Sequence, residues 1–490
     1  MDVTVVGSGP NGLTAAVICA RAGLKVQVVE AQPTFGGGAR TAADPDSPGV
    51  LHDVCSAVHP LALASPFFAA FDLPARGVRL AVPEISYANP LPGRPAVIAY
   101  RDLERTCDEL EHGASWRRLL GPLVADSEAV VGLLLGDKRS MPSSLPSAPG
   151  AAIRLSLRML AQGTPAWGSL EGEDARALFT GVAAHVISRM PSLTAAGAGL
   201  MLATLAHSVG WPIPVGGSRV ITDALIADLR AHGGELTAGL EITEITSVPG
   251  PPASVVAFDT APTALLRIYG DSLPPGYAKA LRRYTFGPGV AKVDFVLSDD
   301  IPWSDPRLRL APTLHLGGTR EQMARAEADI AAGRHAQWPM VLAVSPHVAD
   351  PGRIDIVGRR PFWTYAHVPS GSTMDATEAV TQVVERFAPG FREIVVAARA
   401  VPAARMAEHN ANYVGGDIGM GGNSAWRAIA GPTPRLNPWR TPIPKVYLCS
   451  AATPPGGGVH GMAGYYAART LLRREFGITQ PPALGPKLTP

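Results

Sequence analysis

The chain has 490 residues, in which 43 Lys and Arg nearly balance 41 Asp and Glu to leave a net charge of +2. This balance provides no basic footprint for nucleic acid, and the length is enough for two or three domain-sized cores. Four scattered cysteines, Cys19, Cys55, Cys107 and Cys449, show no CxxC spacing, so no metal site or redox-active disulfide is expected, and that count fits a reducing, cytoplasmic compartment.

The first strand, Val3 to Val6, begins without the basic stretch, apolar segment and cleavage site of a secretory signal. It runs into Gly7-Ser8-Gly9-Pro10-Asn11-Gly12, then an Ala-rich helix ending at Gly23, then a second strand from Val26 that stops at Glu30. Each residue type in this βαβ unit suits a dinucleotide. Gly7 permits the tight turn, Gly9 lets backbone approach a pyrophosphate, and Gly12 lets helix and strand pack closely while the helix N-terminus faces the phosphates. Glu30 stands where a carboxylate accepts hydrogen bonds from ribose hydroxyls, with Ala31 beside it. This acid suits NAD and FAD equally. The next turn, Thr34-Phe35-Gly36-Gly37-Gly38-Ala39-Arg40-Thr41, is a second run of bare backbone for which a plain NAD domain has no need.

Further along, Gly150 to Gln162 reads as an amphipathic helix with Arg154 and Arg158 on one face and apolar residues opposite. It is expected to be a domain surface, and the other reading is a helix lying on a membrane and admitting lipid-like substrates. Leu193 to Trp211 is long and uncharged enough to suggest a membrane span. Its Ala, Gly, Thr and Ser content and its Trp-Pro-Ile-Pro ending favour a buried helix lining an apolar cavity. Gly216-Gly217 precedes an amphipathic helix over Val220 to Ala231, followed by Gly233-Gly234 and a segment in which Leu240, Ile242 and Ile245 alternate. Gly415 to Gly422 is glycine-rich but lacks the apolar helix of a second dinucleotide fingerprint, so a docked nicotinamide is not expected. Near the end, Val446 to Cys449 reads as a strand, Ser450 to Gly458 as a glycine turn, and Val459-His460-Gly461-Met462 as the entry to a helix reaching about Leu472.

These blocks resemble the FAD family that includes phytoene desaturases, carotenoid isomerases, retinol saturase and amine oxidases. The closest likeness is to its phytoene dehydrogenase-related, pyridine nucleotide-disulphide oxidoreductase-domain subgroup. Leu51 to Phe68 and Asn412 to Asp417 also look like that subgroup, and the resemblance is weakest between about 100 and 200. It implies an α/β fold (α+β overall) with a Rossmann-like FAD-binding domain, 1–75, 210–290 and 440–480, interleaved with a substrate-binding domain, 76–209 and 291–439. FAD would lie extended, its adenosine end at Gly7 to Glu30, its adenine on the backbone of Ile242, and its ring under Gly456 to Gly464. Ala451, Gly458, Val459, His460 and Met462 would then border the ribityl chain and ring. Two departures stand out: Gly38 occupies the position often held by a pyrophosphate-binding Arg, leaving Arg40 as the nearest cation, and Ser450-Ala451 replaces an Asp common at the strand end.

The function the resemblance implies is FAD-dependent dehydrogenation or desaturation of a hydrophobic isoprenoid or lipid-like molecule, with electrons passed to oxygen or a quinone. The alternatives are flavin-dependent polyene isomerisation or saturation, or prenyl-lipid binding without catalysis in the manner of GDP dissociation inhibitors. No catalytic residue is assigned. His59 and His460 are candidates for handling a proton because they flank the expected flavin. A mean hydropathy of +0.13 and 17% charged residues agree with an apolar substrate and with peripheral membrane contact, and leave the oligomeric state open.

Overall fold

A computed structural model describes residues 1–137, 149–421, 431–433 and 435–486. The GxGxxG strand, Val3–Val6, is the centre of a five-stranded sheet in the order Val446–Leu448, Val255–Phe258, Val3–Val6, Val26–Glu30, Glu235–Ala238, with every pairing parallel. Helices cover both faces, so the inner strands Val3–Val6 and Val255–Phe258 are buried at every residue, while the edge strand Glu235–Ala238 is partly exposed. Side-chain alternation divides them. Val3 and Val5 join Val26 and Val28 under the helices Pro10–Arg21, Arg219–Ala231 and Met462–Glu475. Val6, Val29 and Phe258 face the helices Ala264–Tyr269 and Pro275–Arg282.

A second, seven-stranded sheet runs in the order Val395–Val401, Gly289–Leu297, Arg360–Val368, Val341–Val344, Thr313–Leu316, Ile85–Asn89, Val97–Tyr100, antiparallel except where Leu314 meets Ala88. Period two divides its strands as well. Val293, Phe295, Phe362 and Ala366 face the helix Thr377–Glu385, whereas Val290, Leu342, Trp363 and Tyr365 turn to the opposite side. A helical layer closes over that side. It contains Gly113–Ala125, Ser127–Leu135, Pro149–Gly163, Glu173–Ala183 and Leu193–Ser208.

Two expectations are revised. Leu240, Ile242 and Ile245 do not form a strand: pairing ends at Ala238, after which Gly239 N–H donates to Gln32 O and Leu240 N–H to Glu30 O. The helix Pro149–Gly163 turns Ala151 and Leu155 inward but keeps its arginines off its most exposed stripe. Arg154 turns to pair with Asp126, and Arg158 donates to the carbonyls of Leu119 at 2.7 Å and Arg118 at 3.0 Å. Ile153, Leu157 and Leu160, more than half exposed, form the outward stripe instead. Gly415, at φ 65°, is the middle residue of the short 3-10 turn Val414–Gly416, and Gly422 lies outside the described residues.

Candidate active site

Between the two sheets and the helical layer lies one cavity of about 1420 Å³. Its volume exceeds the roughly 300–1,000 Å³ that encloses a single drug-sized ligand, leaving room for a dinucleotide and a second molecule.

The parallel sheet builds the first part. Val6, Gly7, Ser8, Gly9, Pro10 and Asn11 line the cavity at the N-terminus of the helix Pro10–Arg21, and Gly7 has φ 102°, which a side chain would strain. Glu30 and Ala31 line it from the next strand end, and Ile242, 4% exposed, from beyond it. The Glu30 carboxylate fastens the turns. Oε2 accepts from Ser8 N–H at 2.9 Å and Ser8 Oγ–H at 2.6 Å, and Oε1 accepts from Gln32 N–H at 2.9 Å. Gly36 N–H donates to Ser8 Oγ at 3.1 Å, and a Cβ on Gly37 would lie 2.8 Å from Gly9 Cα. The two glycine turns therefore touch, and Gly37, Gly38 and Ala39 join the lining.

Gly38 has its own reason to lack a side chain. A Cβ there would lie 2.1 Å from the Tyr413 hydroxyl, so a tyrosine distant in sequence occupies the space that an arginine would need. Arg40 does not take over that role. Its guanidinium donates to Gly37 O at 2.8 Å, to Thr34 Oγ1 at 3.2 Å and to His409 O, and it is not part of the lining. Gly12 and Gly36 also stand behind the surface as packing glycines.

The C-terminal turn supplies the next part. Ala451, Gly458 and Val459 line the cavity, and Gly458 has φ 124°. His460 does not reach it. Its Nδ1 accepts from Met462 N–H at 3.0 Å and its Nε2 donates to Gly456 O at 3.2 Å, clasping the turn onto the helix Met462–Glu475; Met462 is buried behind it. Burial pushes the His460 pKa down to about 4, so the neutral ring that this clasp needs is the stable form.

His59 does line the cavity. Its Nε2 meets Ser218 Oγ at 2.7 Å, Ser218 Oγ donates to Ser56 O at 2.5 Å, and Ser218 N–H donates to Asp53, which Arg353 engages at 2.8 Å. Burial pushes the His59 pKa down to about 4, while the Asp53 charge pulls weakly the other way. Its Nδ1 is buried without a protein hydrogen-bond partner, so the neutral ring offers a bound molecule a hydrogen-bond acceptor.

The remaining walls are mostly apolar. Leu193, Thr194, Gly197, Ala198, Met201 and Leu202 form one face of the helix Leu193–Ser208, as expected of a buried helix beside a cavity. No helix among the described residues is long and apolar enough to cross a membrane. Trp363 and Tyr365 come from the seven-stranded sheet, and His185 stands beside Trp211 with its Nε2 2.8 Å from His315 Nε2. His207 and His367 are packing residues, the first held by Trp116 Nε1–H and Tyr100 O, the second by Glu327 at 2.5 Å. No group of His, Cys, Asp and Glu among the described residues could hold a metal ion.

Sequence reasoning missed Asp259 and Tyr413. Asp259 follows a β-branched strand and is itself a signal of a strand end, but its place beside Gly9 depends on the fold.

A family model for an NAD(P)-binding Rossmann-like domain matches residues 5–71. The rat pyridine nucleotide-disulfide oxidoreductase domain-containing protein 2 is 25% identical over 331 residues, 59% of this chain and 56% of its own length, so the chain spans about half of that relative. An uncharacterised protein of Mycobacterium bovis is 24% identical over an alignment covering 96% of this chain and 97% of its own. Among solved structures, putrescine oxidase superposes with a TM-score of 0.60 at 15% identity, covering 97% of this chain and 99% of the oxidase. The chain therefore has a mixed α/β fold with a Rossmann-like dinucleotide domain, shared in architecture with an amine oxidase.

Proposed function

We propose that the protein is an FAD-dependent oxidoreductase that removes hydride from a hydrophobic, isoprenoid or lipid-like molecule and passes electrons to oxygen or a quinone. The observation carrying this reading is the single cavity that joins a glycine cradle to an apolar chamber. A dinucleotide fits the cradle, because Gly7, Gly9, Gly37 and Gly38 present bare backbone to the cavity beside the N-terminus of the helix Pro10–Arg21. Glu30 would hold the ribose, Ile242 the adenine, and the turn Gly456–Val459 the far end. When bound, FAD supplies the acceptor for a hydride from carbon.

The chain's own residues position the substrate. Leu193, Met201, Leu202 and Met159 exclude water from an apolar body, and Trp363 and Tyr365 bound it from the sheet. His59, neutral and partnered by Ser218, borders the same space as a candidate for handling a proton. Purified protein should be yellow and should release FAD on denaturation, and mass spectrometry of its apolar extract should show isoprenoid or lipid ligands. A colourless protein that neither binds added FAD nor gains thermal stability from it would sink the enzyme reading in favour of a lipid carrier.

Peripheral membrane contact belongs to this proposal. The helix Pro149–Gly163 lines the cavity through Ala152, Leu155 and Met159 and presents Ile153, Leu157 and Leu160 outward. Burying each of these in lipid contributes about 1 kcal/mol. The protein should float with phosphatidylcholine vesicles, and replacing the three residues with Ser should cut the floating fraction severalfold. Wild-type protein left wholly in solution would remove membrane contact from the proposal.

A further inference from the structure

Asp259 ends the strand Val255–Phe258 and projects its carboxyl among the fingerprint glycines. An added Cβ would lie 2.9 Å from Asp259 O at Gly7, 2.6 Å from Oδ2 at Gly9 and 2.9 Å from Asp259 Cβ at Gly12. Gly12 N–H donates to Oδ2 at 3.0 Å. A carboxyl of the protein is thus seated at the N-terminus of the helix Pro10–Arg21, where a diphosphate would also be drawn. It lines the cavity and is 5% exposed.

The surroundings disfavour an anion there. Burial raises the Asp259 pKa to about 7, the Glu30 charge adds to the rise, and the N–H groups of Gly12 and Gly9 hold it down in part. From the last strand the facing group is the Cys449 thiol, itself pushed up by burial and by the Asp259 charge. From the segment after His409 it is the neutral Asn412 amide, whose Nδ2 donates to Asp259 O at 3.1 Å. Among the described residues no cation compensates. Arg40 is turned away, and Arg267, the one arginine or lysine among the described lining residues, pairs with Glu241 at 2.7 Å.

A diphosphate beside an ionised Asp259 would set like charges against each other in a water-poor site, which drives a proton onto the weaker acid. We infer that Asp259 binds the cofactor as a neutral carboxylic acid, donating its O–H to a diphosphate oxygen in place of a cation, so that cofactor binding takes up one proton from solvent. The inference rests on the FAD reading above.

The sign follows from linkage. Below the pKa of the free protein Asp259 is already protonated and affinity is flat; above it, each pH unit weakens FAD binding by up to about tenfold. Asp259→Asn keeps the shape and supplies N–H donors without titrating, so its affinity should not vary with pH and should exceed that of wild type by up to roughly a hundredfold at about pH 9. The test is FAD titration of the apoprotein, followed by flavin fluorescence between about pH 6 and pH 9, together with calorimetry in buffers of different ionisation enthalpy to count protons. Uptake approaching one proton per FAD on the alkaline side supports the inference, and that count needs only the wild-type protein should Asp259→Asn fail to fold. FAD binding of equal strength across the range, with no proton uptake, would overturn it while leaving the cofactor reading intact. No FAD binding even at the acid end would overturn both.

Discussion

Ser8 and Glu30 are joined twice, Glu30 Oε2 receiving the Ser8 amide at 2.9 Å and the Ser8 hydroxyl at 2.6 Å. The residue expected to grip the ribose therefore also ties the first glycine turn to the second strand. Glu30→Gln keeps an acceptor but loses the charge that strengthens these bonds, a loss on the order of 1–3 kcal/mol. FAD affinity should fall by roughly tenfold or more, and the melting temperature of the apoprotein should fall as well. Fluorescence titration and apoprotein melting measure the two effects separately. Unchanged affinity would place the adenosine elsewhere.

Gly464 lets the last helix cross the first in backbone contact, since a Cβ there would lie 1.9 Å from Asn11 O. Gly464→Ala must push the helices apart, at about 1–3 kcal/mol or more. Denaturant unfolding should show that loss, and FAD should bind more weakly because the Asn11 end of the cradle moves. Wild-type stability in this variant would mean that the two helices are not so closely apposed.

Acid should destabilise the protein before neutral pH is far behind. Burial pushes His59, His207, His347 and His460 down to about 4 and His185 to about 3. The unfolded chain takes up these protons near pH 6.5 and the folded chain does not, so stability is present above about 6.5 and falls as pH drops towards 4. Asp259, with its pKa raised to about 7, acts in the opposite sense across part of that window, but it is one group against five. Urea midpoints at pH 7 and pH 5 should differ clearly, and His460→Gln should reduce the difference. Equal midpoints would show that these rings are protonated or solvated in the native state.

NADH and NADPH should reduce the bound flavin slowly. Among the described residues a single strand-glycine-helix-acid unit is present, and the Gly415 segment is a 3-10 turn. Anaerobic mixing with either nicotinamide should leave the oxidised flavin spectrum nearly unchanged over minutes. Bleaching within a second, saturable in NADPH, would reveal a nicotinamide site and point to a reductase.

The parts of the site readable from sequence are those whose geometry is local. Gly7 to Glu30 and Val446 to Met462 each form a strand, a turn and a helix within thirty residues, and they occur where periodicity and glycine spacing indicate. What escaped reading depends on contacts between distant segments. The approach of the Tyr413 hydroxyl to Gly38 and of Asp259 to Gly9 cannot be inferred from either neighbourhood alone. The helix Pro149–Gly163 shows the same limit. Its pattern separates Arg158 from Leu157, but the carbonyls of Leu119 and Arg118 decide which of the two faces turns inward. The segment from Leu240 to Ile245 alternates like a strand and fails to become one because Gly239 and Leu240 spend their amides on Gln32 and Glu30.

The parallel sheet also has a consequence in time. Val3–Val6 is made before its neighbours Val26–Glu30 and Val255–Phe258, and the outer strand Val446–Leu448 and the helix packed on Asn11 follow it only about 440 residues later. At about 5–20 residues per second, the first helix waits roughly twenty to ninety seconds on the ribosome before its partners exist. For that interval Leu13, Val17 and Leu225 have no Leu471 or Leu472 to meet, so the nascent chain carries an uncovered apolar surface that a chaperone can hold. The fingerprint alone is then a motif without a domain, and a fragment ending before Val446 should be recovered as an insoluble or chaperone-bound species.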